Sequence, residues 1–312
     1  MREDEKFIKS FDGELIYAKE YTVEHPKATV IISTDVKEYA NLYDDFSKKL
    51  ASFGFNVFTY DLRAHKNSAK EPFGTYSENF YNDCVRDLIF LNRYLSKKYG
   101  VKMANIGVGV GGEFVVRAMQ FLNIESTNFI VGTHFEKLNI RNFTLELITK
   151  LTLIFFNKNS EIKWLNKLNN SKLEKKFAYG AYLSTNKDYI EKTKNDKFCN
   201  FNLSANILNS IYNGSMHTFK HKNLMKLKNK KFYILSGEYD VVTNFGRNTK
   251  KLAERLKKLN IQTEEAIFNN LRHNLLNESS NAFLDYVLNI LNSVDDKKIN
   301  IEGENQNDIR TN

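Results

Sequence analysis

Three short stretches of the chain hold residues whose types and spacing suit acyl-transfer chemistry. The first is Gly107-Val108-Gly109-Val110-Gly111-Gly112, which follows an apolar run and leads at once into the helical pattern EFVVRAMQF. A strand, a tight turn and a helix in that order make the context of a nucleophile elbow, where the central residue is thrust forward and neighbouring glycines let strand and helix approach. The centre here is Gly109, which tolerates the conformation but has no side chain to attack a carbonyl. The second stretch places Asp240 just beyond the run KFYILS, and the third, FNNLRHNLLNES, places His273 between a β-rich run and the last helical pattern. An acid so placed orients an imidazole, and the order turn, acid, base is that of an α/β-hydrolase triad. Taken singly, Asp240 is an ordinary turn residue and His273 an ordinary packed histidine. The glycine loop also invites a phosphate-cradling reading. Its pattern is G-x-G-x-G-G, however, and the next strand run gives way to Thr133 and His134 instead of an acid, so a dinucleotide site is disfavoured.

The elements that must position these residues alternate along the chain. Short apolar runs at 28–33, 55–60, 103–108, 127–132 and 231–236 are separated by longer helical patterns, as in a parallel sheet. Phe80, Cys84, Leu88, Leu91 and Leu95 recur every three or four residues and predict a helix over 77–98. The opening FIKSFDGELIYAKEY alternates around Asp12 and Gly13, as an antiparallel edge hairpin would. The rhythm breaks after Thr133 and resumes near Lys231, so 134–228 is read as an inserted cap in a core made of 1–133 and 229–292. The insertion opens on the strongly apolar NFTLELITKLTLIFF (142–156) and ends on a helix near 205–213. The tail 293–312 has almost nothing to bury and reads as disordered.

Composition narrows the partners. The formal net charge of +9 suits nucleic acid or an anionic membrane, but the lysines are scattered among Asn and Tyr, so nucleic acid is not expected. Cys84 and Cys199 are the only cysteines and the six histidines are dispersed, which predicts neither a disulfide framework nor a metal site; His217 and His221 stand four apart without a supporting acid or thiol. The N-terminus lacks the apolar run of a signal peptide and nothing approaches a membrane span, so a cytoplasmic protein is expected.

From about residue 8 to 292 the chain resembles the α/β-hydrolase family that contains monoglyceride lipases and bacterial lysophospholipases. Members carry a His-Gly oxyanion loop, a D-x-R-G-H-G-x-S segment, a GHSMGG elbow, a cap and a late R-H-E-x-x-N-E segment. The corresponding stretches here are ISTDVKEYANLYDDF, DLRAHKNS (61–68), GVGVGG (107–112) and RHNLLNE (272–278), with FAYGAY and NDKFCNF in the insertion. The resemblance implies the α/β-hydrolase fold, with Asp240 and His273 as triad acid and base, Gly109 in the serine's place, and the backbone amides of Asp35 and Val110 as the oxyanion hole. Departures gather at the chemistry. Ser33 and Thr34 replace the His-Gly pair, Ala64 and Lys66 replace two glycines, and Asp35 would set a negative charge beside a developing oxyanion.

The expectation is therefore a degenerate lysophospholipase-like protein, without cofactor, retained to bind a lipid or acyl ligand; a lipid with an anionic head would suit the later, basic part of the insertion. One alternative is an active ester hydrolase that uses a displaced nucleophile, with Ser33, Thr34, Thr133 and Cys84 as candidates, or a water activated by His273. Another is a scaffold for protein or for an anionic membrane surface. No oligomeric state is implied.

Overall fold

The computed structural model describes residues 1–69, 72–76, 78–134, 140–157, 159–167 and 181–293. Eight strands form one sheet in the order β1-β2-β4-β3-β5-β6-β7-β8. They are β1 (Arg2–Lys9), β2 (Leu15–Thr22), β3 (Ala28–Ser33), β4 (Asn56–Tyr60), β5 (Lys102–Val108), β6 (Ser126–Val131), β7 (Lys231–Gly237) and β8 (Gln262–Phe268). The first two make the edge hairpin, β2 also pairs antiparallel with β4, and all later pairs are parallel. Every residue of β3, β4 and β6 is buried, which is why these strands read as continuous apolar runs. Side-chain alternation divides them between two cores: Ile31 packs on one face, and Val30 and Ile32 pack on the other.

Helices cover both faces. In the core they are α1 (Asp44–Ser52), α2 (Phe80–Tyr99) and α3 (Val110–Met119). The longest, α2, starts where the Asn79 side chain accepts a hydrogen bond from the Asn82 N–H and stops at Gly100, whose φ of 62° terminates the helix. Its apolar stripe of Phe80, Cys84, Leu88, Leu91 and Leu95 is buried as the spacing predicts. This is an eight-stranded, mostly parallel sheet flanked by helices, the α/β-hydrolase fold.

Between β6 and β7 the chain forms α4 (Ile140–Phe155), α5 (Lys187–Asn195) and α6 (Ala205–Thr218). Helix α4 packs on α6, and α6 on α2 and α3. The Ser204 side chain caps α6 by accepting from the Ile207 N–H. His217 lies in the last turn of α6 while His221 opens a separate single-turn helix, so the two do not share one helix face. The chain returns to the sheet and adds α7 (Arg247–Lys258) and α8 (Ala282–Ser293). Most of FAYGAY and the tail beyond Ser293 lie outside the described residues.

Candidate active site

The site lies at the carboxyl end of the parallel strands, where three loops meet. Strand β5 ends at Val108 and α3 begins at Val110, leaving Gly109 alone in the turn with φ 55° and ψ −118°. An L side chain rarely adopts that conformation and glycine adopts it freely. The turn is held from outside: the Gly109 N–H donates to the Val131 carbonyl at 2.9 Å, and the Thr133 hydroxyl donates to the Gly109 carbonyl at 2.8 Å. Close packing fixes it further. A Cβ at Gly111 would fall under 3.0 Å from the Ser33 and Thr34 carbonyls, and one at Gly112 under 3.0 Å from the Thr133 hydroxyl.

His273 follows β8 on a loop pinned by Glu278. That carboxylate accepts from the Arg272 N–H at 2.7 Å and the Thr185 N–H at 2.8 Å. Asp240 follows β7; its Oδ1 accepts from the Val242 N–H at 2.8 Å and lies 3.2 Å from His273 Nδ1. Both side chains are buried. The acid and the imidazole expected from the sequence are therefore brought together, 33 residues apart in the chain.

On its other side the imidazole meets a second carboxylate. Asp35 lies on the loop after β3, and its Oδ2 is 3.4 Å from His273 Nε2. Asp35 Oδ1 accepts from the Val110 and Val36 N–H groups, each at 2.8 Å. Burial works to lower the pKa of His273, but the charge and hydrogen bond of Asp240, followed by those of Asp35, outweigh it and raise the pKa well above its ordinary value. The imidazole thus lies between two carboxyl groups that favour its protonated form.

The Asp35 loop is braced by buried groups. Neutral His65 accepts from the Lys37 N–H at 3.0 Å through Nε2, while its Nδ1 donates to the Arg63 carbonyl at 2.8 Å; burial lowers its pKa to about 4. Asp61 accepts from the Ala40 N–H at 2.7 Å and the Asn67 N–H at 3.0 Å. Glu38 accepts from Tyr43, from Tyr189 of α5 at 2.6 Å and from Asn274 at 2.8 Å, which joins the Asp35 loop, the His273 loop and α5. Burial, and then the charge of Asp35, raises its pKa. The 61–68 loop keeps its shape at some cost, because Ala64 and Lys66 take φ values of 61° and 33°, where an L residue is strained by about 1–2 kcal/mol.

The hydroxyl and thiol candidates are engaged elsewhere or buried. Ser33 hydrogen-bonds Tyr60 at 3.0 Å, Thr133 bonds the Gly109 carbonyl, Thr34 is fully buried, and burial raises the Cys84 thiol well above its ordinary pKa. The sequence led to the expectation of the Asp35 charge beside the oxyanion position, but not to the expectation that its carboxylate would accept from the Val110 N–H and face the His273 imidazole. Sequence reasoning also missed Glu38 and Glu113. Glu113, in the first turn of α3, is buried; burial, with the charge of Asp35 adding to it against the hydroxyls of Ser215 and Tyr81, pushes its pKa up to about 8. Among the described residues no group of three or more His, Cys, Asp or Glu is placed to hold a metal ion, and no helix is long and apolar enough to cross a membrane.

Solved structures share this fold across nearly the whole chain. A lipase in an open form superposes with a TM-score of 0.84 at 19% identity, covering 95% of this chain and 100% of its own. A thermostable carboxyl esterase from Bacillus coagulans in complex with glycerol gives 0.81 at 18% identity, with 94% and 98% covered. A soluble variant of monoglyceride lipase from Saccharomyces cerevisiae, in complex with a substrate analogue, gives 0.69 at 16% identity, with 93% and 94% covered. No curated protein matches the sequence significantly. The family model of the serine aminopeptidases, S33, matches residues 24–280, and with the sheet and the loops at its carboxyl edge this places the chain in that α/β-hydrolase family.

Proposed function

We propose that this chain is a lysophospholipase- and monoacylglycerol-lipase-like protein whose hydrolytic centre is impaired and which is retained to bind a lipid or acyl ligand under a cap formed by 134–228. One observation carries the reading: the group facing His273 Nε2 is the Asp35 carboxylate, and Gly109, at the centre of the elbow, offers no hydroxyl. A serine hydrolase needs a neutral imidazole hydrogen-bonded to its nucleophile. An imidazolium held between two carboxylates has no free lone pair with which to activate a serine or a water.

The ligand class is supported by the relatives, one of which is described with glycerol and one with a substrate analogue of a monoglyceride lipase. It is also supported by α4, where Phe143, Leu147, Leu151, Ile154 and Phe155 are exposed at helical spacing. Such a face suits an acyl chain or, in a second reading, an anionic bilayer surface, which salt-sensitive flotation with anionic vesicles would check. The main test uses a fluorophosphonate probe and short-chain nitrophenyl esters on the natural protein, with fluorescence of Trp164, the single tryptophan, followed during titration with monooctanoylglycerol. The expected result is no labelling, no turnover and a saturable fluorescence change. Turnover that disappears in His273→Ala would overturn the impaired centre, and an unsaturable titration would overturn the ligand.

A further inference from the structure

The Asp35 carboxylate stands where a side chain on residue 109 would have to go. A Cβ built on Gly109 falls under 3.0 Å from Cγ, Oδ1 and Oδ2 of Asp35. The carboxylate is also fully engaged in the manner of a bound ligand. Two backbone N–H groups, from Val110 and Val36, converge on Oδ1, and His273 Nε2 faces Oδ2 at 3.4 Å. Two amide donors and a cationic imidazole around a planar pair of oxygens make a binding site for a carboxylate. The Asp35 side chain is 19% exposed, so it is not sealed from outside.

We propose that the Val110 amide expected of an oxyanion hole belongs, with the Val36 amide and His273, to a carboxylate site that Asp35 fills from within, so that free carboxylates are excluded and the ligand group that reaches the site is uncharged. The inference rests on reading the loops as the remnant of a serine-hydrolase centre. It refines the ligand class in that reading: an intact ester or other neutral acyl compound is compatible with the internal carboxylate, whereas a fatty acid bound head-first would place two like charges in contact. It also means that a serine at position 109 alone would lack room, because its side chain and the Asp35 carboxylate claim the same volume.

The test is a titration with acetate at constant ionic strength, followed through the imidazole NMR signals of His273 in the full-length natural protein and in Asp35→Ala. Asp240 and Asp35 are the charged groups that face this imidazole, with the Tyr182 ring centroid 6.4 Å away. The expected result is saturable binding to Asp35→Ala at least ~10-fold tighter than to the natural protein. Equal affinity in both proteins, or no binding to either, would overturn the proposal. Asp35→Asn, close to isosteric, supplies a second folded variant: its His273 titration midpoint should fall below that of the natural protein, and an unchanged midpoint counts against the ion pair. Fluorophosphonate labelling separates this inference from the proposed function. Gly109→Ser should remain unlabelled while Gly109→Ser/Asp35→Ala labels. Equal labelling of both would sink the occlusion and leave the impaired natural centre standing, whereas labelling of the natural protein would sink the proposed function itself.

Discussion

Asp35 lies on one side of the Gly109 turn beside a histidine, whereas Glu113, one helical turn further on, is buried near hydroxyls and the Tyr81 ring with an oxygen, Oε2, that has no hydrogen-bond partner. The two acids share a neighbourhood and meet opposite conditions. Asp35 receives two amide donors and faces an imidazolium, which compensate its charge. Glu113 receives too little, so burial dominates and its proton is retained up to about pH 8. The lesson is that two acids against the same helix terminus can differ sharply in the donors that converge on them, and that an acid buried with few donors, as Glu113 is, holds its proton.

The comparison breaks most severely if the cation is removed. His273→Ala leaves Asp35 and Asp240 facing a void, and should cost about 3 kcal/mol in urea unfolding, in line with deleting one partner of a buried ion pair. Because the folded pKa of His273 lies above its ordinary 6.5, the stabilisation is fully present below pH 6.5 and is lost as pH rises through the raised value. The gap between variant and natural protein should therefore narrow in alkali; a gap that widens would contradict the ion pairing.

Glu113→Gln tests the other side. With a carboxyl pKa of about 8 folded and 4.5 as the ordinary value, the natural protein loses stability as pH climbs between them, because the unfolded chain ionises first. The variant should unfold at the same temperature below pH 4.5 and gain up to roughly 5 kcal/mol, about 7 °C, above pH 8. Thermal melts across that range check it, and a destabilised variant at pH 8 would show that the carboxylate is paired after all. The smallest effect is expected at the turn itself. Thr133→Val deletes the hydroxyl that holds the Gly109 carbonyl and should cost about 1 kcal/mol without altering the His273 titration. A shifted titration would mean that the turn's backbone, as well as the charges, sets the imidazole.

Much of the frame was legible in the sequence because its signals are local. The runs at 28–33 and 231–236 read as strands since residues buried on both faces leave an unbroken apolar string, and α2 announced itself through one stripe of large side chains. Asp240 and His273 were legible as candidates through their placement after strands, although neither sequence stretch by itself measures the 3.2 Å between them. The Asp35 side chain was not legible. Its direction depends on amides and an imidazole up to 238 positions away, and nothing in ISTDVKEY distinguishes a carboxylate turned into the hole from one turned to solvent. Glu113 is obscured for a similar reason: at the start of a helix an acid ordinarily serves the dipole from the surface, and only the packing of α2 and α6 against α3 encloses this one.

The close approach at Gly111 and Gly112 has a consequence for how such a chain drifts. With carbonyls and a hydroxyl already filling the space where their side chains would stand, these glycines are demanded by the turn's architecture whether or not any reaction takes place there. Position 109 differs in kind: what crowds the place of its missing side chain is the Asp35 carboxylate, a side chain, and not the backbone of the turn. A glycine skeleton of this kind is therefore a requirement of form, independent of any reaction at the turn.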